Sequence, residues 1–600
     1  MPKPRNPKPN PSAISRKEAL RTLAAASLLH VAPEAASAST EKAAVEPQQT
    51  ASPNAAAITP DDVKTFEKVS GRKFTDADRV QMARSLARNR VNATSVRSSA
   101  LPETVMPAVH FDPRQLGFKM PRIRSGFRLS DASEVTLPAT EEQIAFLGAV
   151  ELGRLLRVGK ITSTRLTQIY LDRLRTYGPR LNCLVTLTEE LALRQAARAD
   201  RELKEGKSRG PLHGVPFGVK DLLATKGIRT TFGAKPFENQ VFDYDATVVS
   251  RLEAAGAVLI GKLSMGELAM GDVWFGGTTR CPWNPTRGAS GSSAGSCAAT
   301  AAGLVGFAIG TETLGSIVSP SVRNGTTGLR PTFGRVSRHG AMALSWTMDK
   351  IGPIARRVED CAAILQAIAG PDDRDLTLID APLQWNPKSD VRKIKVGIDE
   401  QSFASISANT SRKKFYDDAL GMLKKMGVVF KPIKLPIMTD ATRALSTIFI
   451  NAEGASSFQK LLDDGGLSQL AQQEDGSWPN TFRTAATISA ADYLTAMRIR
   501  AQLQQQMMAA LSDVDVYVAA PLSGSTIYLT NLCGQPTVVT RCGMDGDTPV
   551  CIEFVGNLFR EDAALRLAFA YEQATDWNKR WPDVSALPLV PPLMGGNARQ

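Results

Sequence analysis

Three loops made mostly of small residues constrain this chain more than any other feature. They read Gly214-Val-Pro-Phe-Gly-Val-Lys220-Asp221, Gly288-Ala-Ser-Gly-Ser292-Ser-Ala-Gly-Ser296 and Gly310-Thr-Glu-Thr-Leu-Gly-Ser316-Ile317. Glycine and serine at this density suit a flexible linker or closely packed backbone, and for 288–296 the place between Trp283-Asn-Pro and a small-residue helix favours close packing. The first segment contains the apolar run Val215–Val219, closed by Lys220, the third follows the run Val305–Ile309, and the second leads into a small-residue helix over Ser296–Ala302. Further apolar runs at Ala257–Ile260, Asp513–Ala519 and Val550–Val555 read as strands. They are interspersed with amphipathic segments at 144–158, 163–177 and Leu191–Glu205. Helix alternating with apolar strand predicts an α/β chain: a central mixed or mainly parallel sheet covered by helices on both faces.

Composition narrows the partners. The chain has 600 residues, 43% of them hydrophobic and 22% charged, as expected of a globular enzyme. Its net charge of +13 is partly local: residues 1–21 hold Lys3, Arg5, Lys8, Arg16, Lys17 and Arg21 against Glu18. No basic stripe interleaved with aromatics follows, so no nucleic-acid partner is expected. The basic start leads to the apolar stretch Leu23–Ala32 and to Ala36-Ser-Ala38, which fits a cleavage site. Residues 1–38 therefore read as an export signal, placing the mature protein in the periplasm or outside the cell. Ser15-Arg-Lys-Glu-Ala-Leu20 is similar to a twin-arginine signal, with lysine at the second arginine.

Residues 39–58 read as a linker and 59–140 as a small extension. In it Thr59 and Thr75 cap two helices, the first closed by Gly71 and the second running through Arg79, Met82 and Leu86 to about Asn89. A proline-bearing arm over 101–135 lies against the main body, which spans 141–590 and leaves 591–600 as a tail. Within the main body, 436–500 reads as helical and polar, suited to shaping an entrance to a site. No later stretch is long and apolar enough for a membrane span in the mature protein. Seven cysteines without a CxxC pair read as buried free thiols, and four scattered histidines offer no metal site. A homo-oligomer is compatible with all of this.

Were a serine of these loops, such as Ser316, to act as a nucleophile, it would need activation. A serine hydroxyl is a weak nucleophile and requires a base within hydrogen-bond reach. No histidine lies near it in sequence, and the glycines of a Gly-x-Ser-x-Gly elbow are replaced by Leu314 and Val318. Lys220 is the alternative base, because a lysine closing a buried apolar strand loses its charge readily. Bringing its pKa from about 10.4 to neutrality takes roughly 4 kcal/mol of differential interaction, which burial supplies. Gly256-Ala-Val-Leu-Ile-Gly261-Lys262-Leu263 nearly fits a phosphate-binding loop. It lacks the hydroxyl that would follow the lysine, and its apolar centre reads as strand.

With these residues in view, the chain resembles the amidase signature family over about 141–590. The likeness is carried by Leu212-His-Gly-Val-Pro-Phe-Gly-Val-Lys220-Asp, Trp283-Asn-Pro285, Ser292-Ser-Ala-Gly-Ser296, Gly328-Leu-Arg-Pro-Thr332 and Gly334-Arg-Val-Ser337. Thr530-Asn-Leu-Cys-Gly-Gln-Pro536 and Phe554-Val-Gly556 extend it. The resemblance implies a hydrolase of small carboxylic amides with Ser316 as nucleophile, Ser292 as proton relay after a cis Gly291–Ser292 bond, and Lys220 as base. It implies an oxyanion hole from the backbone N–H groups of Thr313, Leu314, Gly315 and Ser316, an orienting Asp221, and no cofactor. Ala294, Leu314 and Val318 depart from the family pattern. Leu314 is expected to narrow the acyl pocket and Val318 to remove a cation from it. Two other readings share the scaffold: the glutaminase subunit of a tRNA-dependent amidotransferase, and a non-catalytic ligand-binding protein.

Overall fold

A computed structural model describes residues 57–97, 109–131, 136–406 and 411–587. The export signal over 1–38, most of the 39–58 linker and the tail over 591–600 lie outside the described residues. The chain divides into two compact units, residues 1–94 and 95–600.

In the smaller unit the expected caps form. Thr59 caps the helix Pro60–Ser70 through a reciprocal pair of bonds with Asp62, and Gly71 ends it in the left-handed region. Thr75 accepts from the Asp78 N–H at the start of Asp76–Arg97. That helix runs past the expected Asn89, because no glycine or proline interrupts it.

The larger unit is built on an eleven-stranded mixed sheet. Its order from one edge is 430–432, 396–398, 516–519, 548–556, 537–545, 327–330, 350–355, 307–312, 216–220, 258–263 and 184–187. Strands Pro216–Lys220, Val258–Leu263 and Phe307–Glu312 are mutually parallel neighbours, with Pro216–Lys220 in the middle. Every residue of these three strands is buried. Since successive side chains point to opposite faces, both faces of the sheet are covered there. Phe307–Glu312 then pairs antiparallel with Lys350–Ala355. The ends of these strands place the three small-residue loops beside one another.

One expectation is corrected. The segment 144–158 is not one helix but two, Glu141–Ala145 and Ala149–Arg157. The Asp360 carboxylate, from far along the chain, accepts the Val150 N–H at 2.9 Å and caps the second helix. A side chain at Gly148 would meet that carboxylate at about 2.9 Å, so the break is set by packing. The helical stretch 436–500 supports the loop 344–349, part of a cavity wall, through Glu453 and Arg500. The described part of the arm, 109–131, does lie against this unit, with Gly126–Phe127 pairing with Gln384–Trp385. All seven cysteines are free and buried.

Candidate active site

Lys220 is the last residue of the strand Pro216–Lys220 and is fully buried. Its Nζ donates to Ser292 Oγ at 2.7 Å, to Thr311 Oγ1 at 2.8 Å and to the Thr311 carbonyl at 3.5 Å. All three partners are neutral oxygens. Burial is the main cause that pushes the Lys220 pKa down to about 7, with Asp349, Cys297 and Glu312 pulling weakly the other way. Thr311 sits on the neighbouring strand Phe307–Glu312. Its closeness to Lys220 depends on strand pairing, which no local pattern around Thr311 signals.

The second loop delivers Ser292. The Gly291–Ser292 peptide bond is cis, as the resemblance implied. A Cβ at Gly291 would lie 1.7 Å from the Gly271 carbonyl oxygen, and one at Gly295 would lie 2.5 Å from the Ser264 nitrogen. Neither position tolerates a side chain, which explains a Gly/Ser run inside a packed body. The two adjacent serines separate in role. Ser292 Oγ meets Lys220, whereas Ser293 Oγ donates to the Thr311 carbonyl at 3.0 Å and accepts the Thr311 N–H at 3.1 Å. Ala294 opens the helix Ala294–Ala301, where a methyl group is buried without conflict.

The third loop carries Ser316, held against the second by a Ser293 N–H bond to the Ser316 carbonyl at 3.2 Å. Among the described residues, Ser316 Oγ itself makes no hydrogen bond, so its contact with Ser292 is not closed in this state. The amide N–H groups of Leu314, Gly315 and Ser316 likewise meet no acceptor there. The loop is fixed from both ends instead. The Glu312 carboxylate accepts the Ile317 and Val318 N–H groups at 2.8 and 2.9 Å, Asn531 Nδ2 at 2.8 Å and a close Arg330 guanidinium bond. Burial works to raise the Glu312 pKa, but Arg330, Lys350 and the Val318 N–H outweigh it and hold the carboxyl at about 2. At the other end Thr313 Oγ1 donates to Asp349 at 2.6 Å, and its carbonyl accepts Lys350 Nζ at 3.5 Å.

A cavity opens next to Thr311 and Thr313, lined also by Tyr244, Leu344, Trp346 and Asp349; Lys220, Ser292 and Ser316 are not among its lining residues. Leu314 is not one of its lining residues: it packs on the apolar cluster around Met348 and Phe449. Val318 is fully buried and does not line the cavity either. Asp221 accepts from Thr231 N at 2.9 Å and lies 3.2 Å from Lys262 Nζ. It anchors the strand end next to Lys220, and Lys262 of the near-miss phosphate motif is its buried partner. Among the described residues no group of three His, Cys, Asp or Glu side chains could hold a metal ion.

The amidase family model matches residues 165–527. A glutamyl-tRNA(Gln) amidotransferase subunit from Methylococcus capsulatus is 34% identical over 475 residues, covering 72% of this chain and 98% of that protein. The protein of the same name from a Roseiflexus species is 35% identical, covering 71% and 96%. Among solved structures, native peptide amidase from Stenotrophomonas maltophilia superposes with a TM-score of 0.65 at 31% identity, covering 73% of this chain and 99% of that one.

The geometry sets a titration. Thr311 Oγ1 accepts a bond from the charged ammonium, so removing it disfavours the charged form and lowers the pKa further. In ¹³C-lysine NMR, Lys220 is expected to titrate near pH 7 in the wild type. In Thr311→Val it should titrate about 1–2 pH units lower. A wild-type midpoint above about 9, close to an ordinary lysine, would contradict the assignment.

Proposed function

The chain belongs to the amidase family, and from that footing we propose that it is an amidohydrolase whose acyl-enzyme forms on Ser316. The observation that carries this reading is the 2.7 Å contact between a buried Lys220 and Ser292, one loop away from Ser316. Neutral Lys220 takes the Ser292 Oγ proton while Ser292 takes that of Ser316, and Ser316 Oγ attacks the amide carbonyl. The oxyanion that develops is met by the N–H groups of Leu314, Gly315 and Ser316, together with Thr313. Such donors contribute about 10²–10³ in rate each. Collapse breaks the C–N bond, the proton returns through Ser292 to the leaving nitrogen, and water then hydrolyses the ester.

The relatives named as amidotransferase subunits favour a second reading, a glutaminase that hands ammonia to a partner. Two things weigh toward the free hydrolase: the extension over 59–140 and the export signal read over 1–38. Export of the mature chain belongs to the same proposal. Intact mass of protein recovered from the periplasmic fraction should correspond to cleavage after Ala38, and an uncleaved cytoplasmic chain would remove that part of the reading.

Activity should need no partner subunit. Screened on simple carboxylic amides by amine or ammonia release, the protein alone should turn over, with a rate that rises as pH passes through about 7, because Lys220 must be neutral. Ser316→Ala should lose about 10⁴–10⁶ of that rate. Hydrolysis of glutamine alone, seen only in the presence of a tRNA-binding partner, would turn the conclusion to the amidotransferase reading.

A further inference from the structure

Behind the cavity wall lies a buried polar assembly that no step above uses. The wall is the loop around 344–349, which brings Leu344, Trp346 and Asp349 to the cavity. Two carboxylates and one guanidinium hold it. Asp349 accepts the Leu344 and Ser345 N–H groups at 2.9 Å each, with its other oxygen on Thr313. Glu453, on the helix Asp440–Ser457, accepts Ser345 Oγ at 2.8 Å, Thr347 N at 3.0 Å and Thr347 Oγ1 at 2.7 Å. Arg500, on Ala490–Ala510, donates to Thr347 Oγ1 at 3.0 Å and to the Thr347 carbonyl at 2.9 Å, and its Nε donates to the Leu532 carbonyl at 2.6 Å.

Arg500 is only 1% exposed, and what seals it is a residue of the N-terminal arm. The guanidinium carbon lies 3.5 Å from the centroid of the Phe111 ring and 5.1 Å from that of Phe449. Phe111 packs edge-on to Phe333 at 5.0 Å. The arm is fastened by Gln504, one helical turn after Arg500: Nε2 donates to the Asp112 carbonyl at 3.0 Å, and Oε1 accepts from Gln115 at 3.1 Å. A desolvated guanidinium on an aromatic face is held far more firmly than an exposed one. Opening the arm would admit water to Arg500 and loosen its grip on Thr347.

We propose that Phe111 and Arg500 are positioning residues: the arm over 109–120 is a strap that fixes the wall 344–349 and, through Asp349, the Thr313 end of the oxyanion loop. Phe111 does not line the cavity and acts through Arg500. The consequence for the reaction rests on the reading of Ser316 given above; the positioning itself does not, and its test is separate.

Hydrogen exchange on the full-length chain reads the strap directly. In Phe111→Ala, the amides of Leu344, Ser345 and Thr347 should exchange about 10-fold faster or more, while those of Phe307–Glu312 keep their protection. Phe111→Tyr should restore the wild-type rates. Unchanged exchange at 344–347, or a loss spread evenly over the sheet, would overturn the proposal. A second readout uses two fluorophosphonates, one with an ethyl and one with a decyl chain. Phe111→Ala should slow labelling by the ethyl probe through the loosened Thr313 end of the oxyanion loop, and weaken apparent binding of the decyl probe about 10-fold beyond that. Equal losses on both probes would make Phe111 a merely structural residue. Failure of the wild type to label at all would count against Ser316 and leave the exchange result standing.

Discussion

Everything in the site depends on burying an ammonium group among neutral oxygens. Two buried lysines on adjacent strands show the difference. Lys262 has the Asp221 carboxylate at 3.2 Å, and the pair anchors a strand end. Lys220, beside it in the sheet, has Ser292 and Thr311 and makes no ion pair among the described residues. A buried charge without a counter-charge is strongly disfavoured, and the readiest relief is to give up the proton. That relief is what a serine nucleophile needs from a base.

The second requirement is a rigid frame for the reacting serine, and here the charges are paired. Glu312 turns away from Lys220 and directs its acceptor capacity to Ile317 N, Val318 N, Asn531 and Arg330. Asp349 grips the other end of the loop. The amides of Leu314, Gly315 and Ser316 are thus held without being consumed by the fold, as preorganised donors must be. The same principle extends outward from Asp349 to the wall, to Arg500 and to the arm.

Much of this was legible in the sequence. Lys220, Ser292 and Ser316 were legible through the resemblance to the amidase signature family, and the close packing of their loops through glycine and serine, whose replacement at Gly291 or Gly295 would create clashes. The strands around them were legible because both faces are buried and their sequences are apolar throughout. Thr311, Glu312 and Asp349 were not, since their roles arise from strand pairing and loop packing between distant segments. For the same reason Asp360 breaks a helix that periodicity alone would continue. The packing of Leu314 on a second apolar cluster was not legible, since no local pattern encodes that direction. The helical stretch 436–500 was legible as helix, but the hold of its Glu453 and Arg500 on the 344–349 wall was not, because which face a helix presents is a tertiary fact.

The central claim is that Ser316 is activated by Lys220 through Ser292. It is tested most directly by treating the protein with a fluorophosphonate, digesting it and locating the adduct by mass spectrometry, with Lys220→Ala and Ser292→Ala alongside. The account predicts one stoichiometric adduct on Ser316, formed at least about 10³-fold more slowly in both variants. A folded wild-type protein that stays unlabelled, or one whose Ser316 labels equally fast without Lys220, would contradict it.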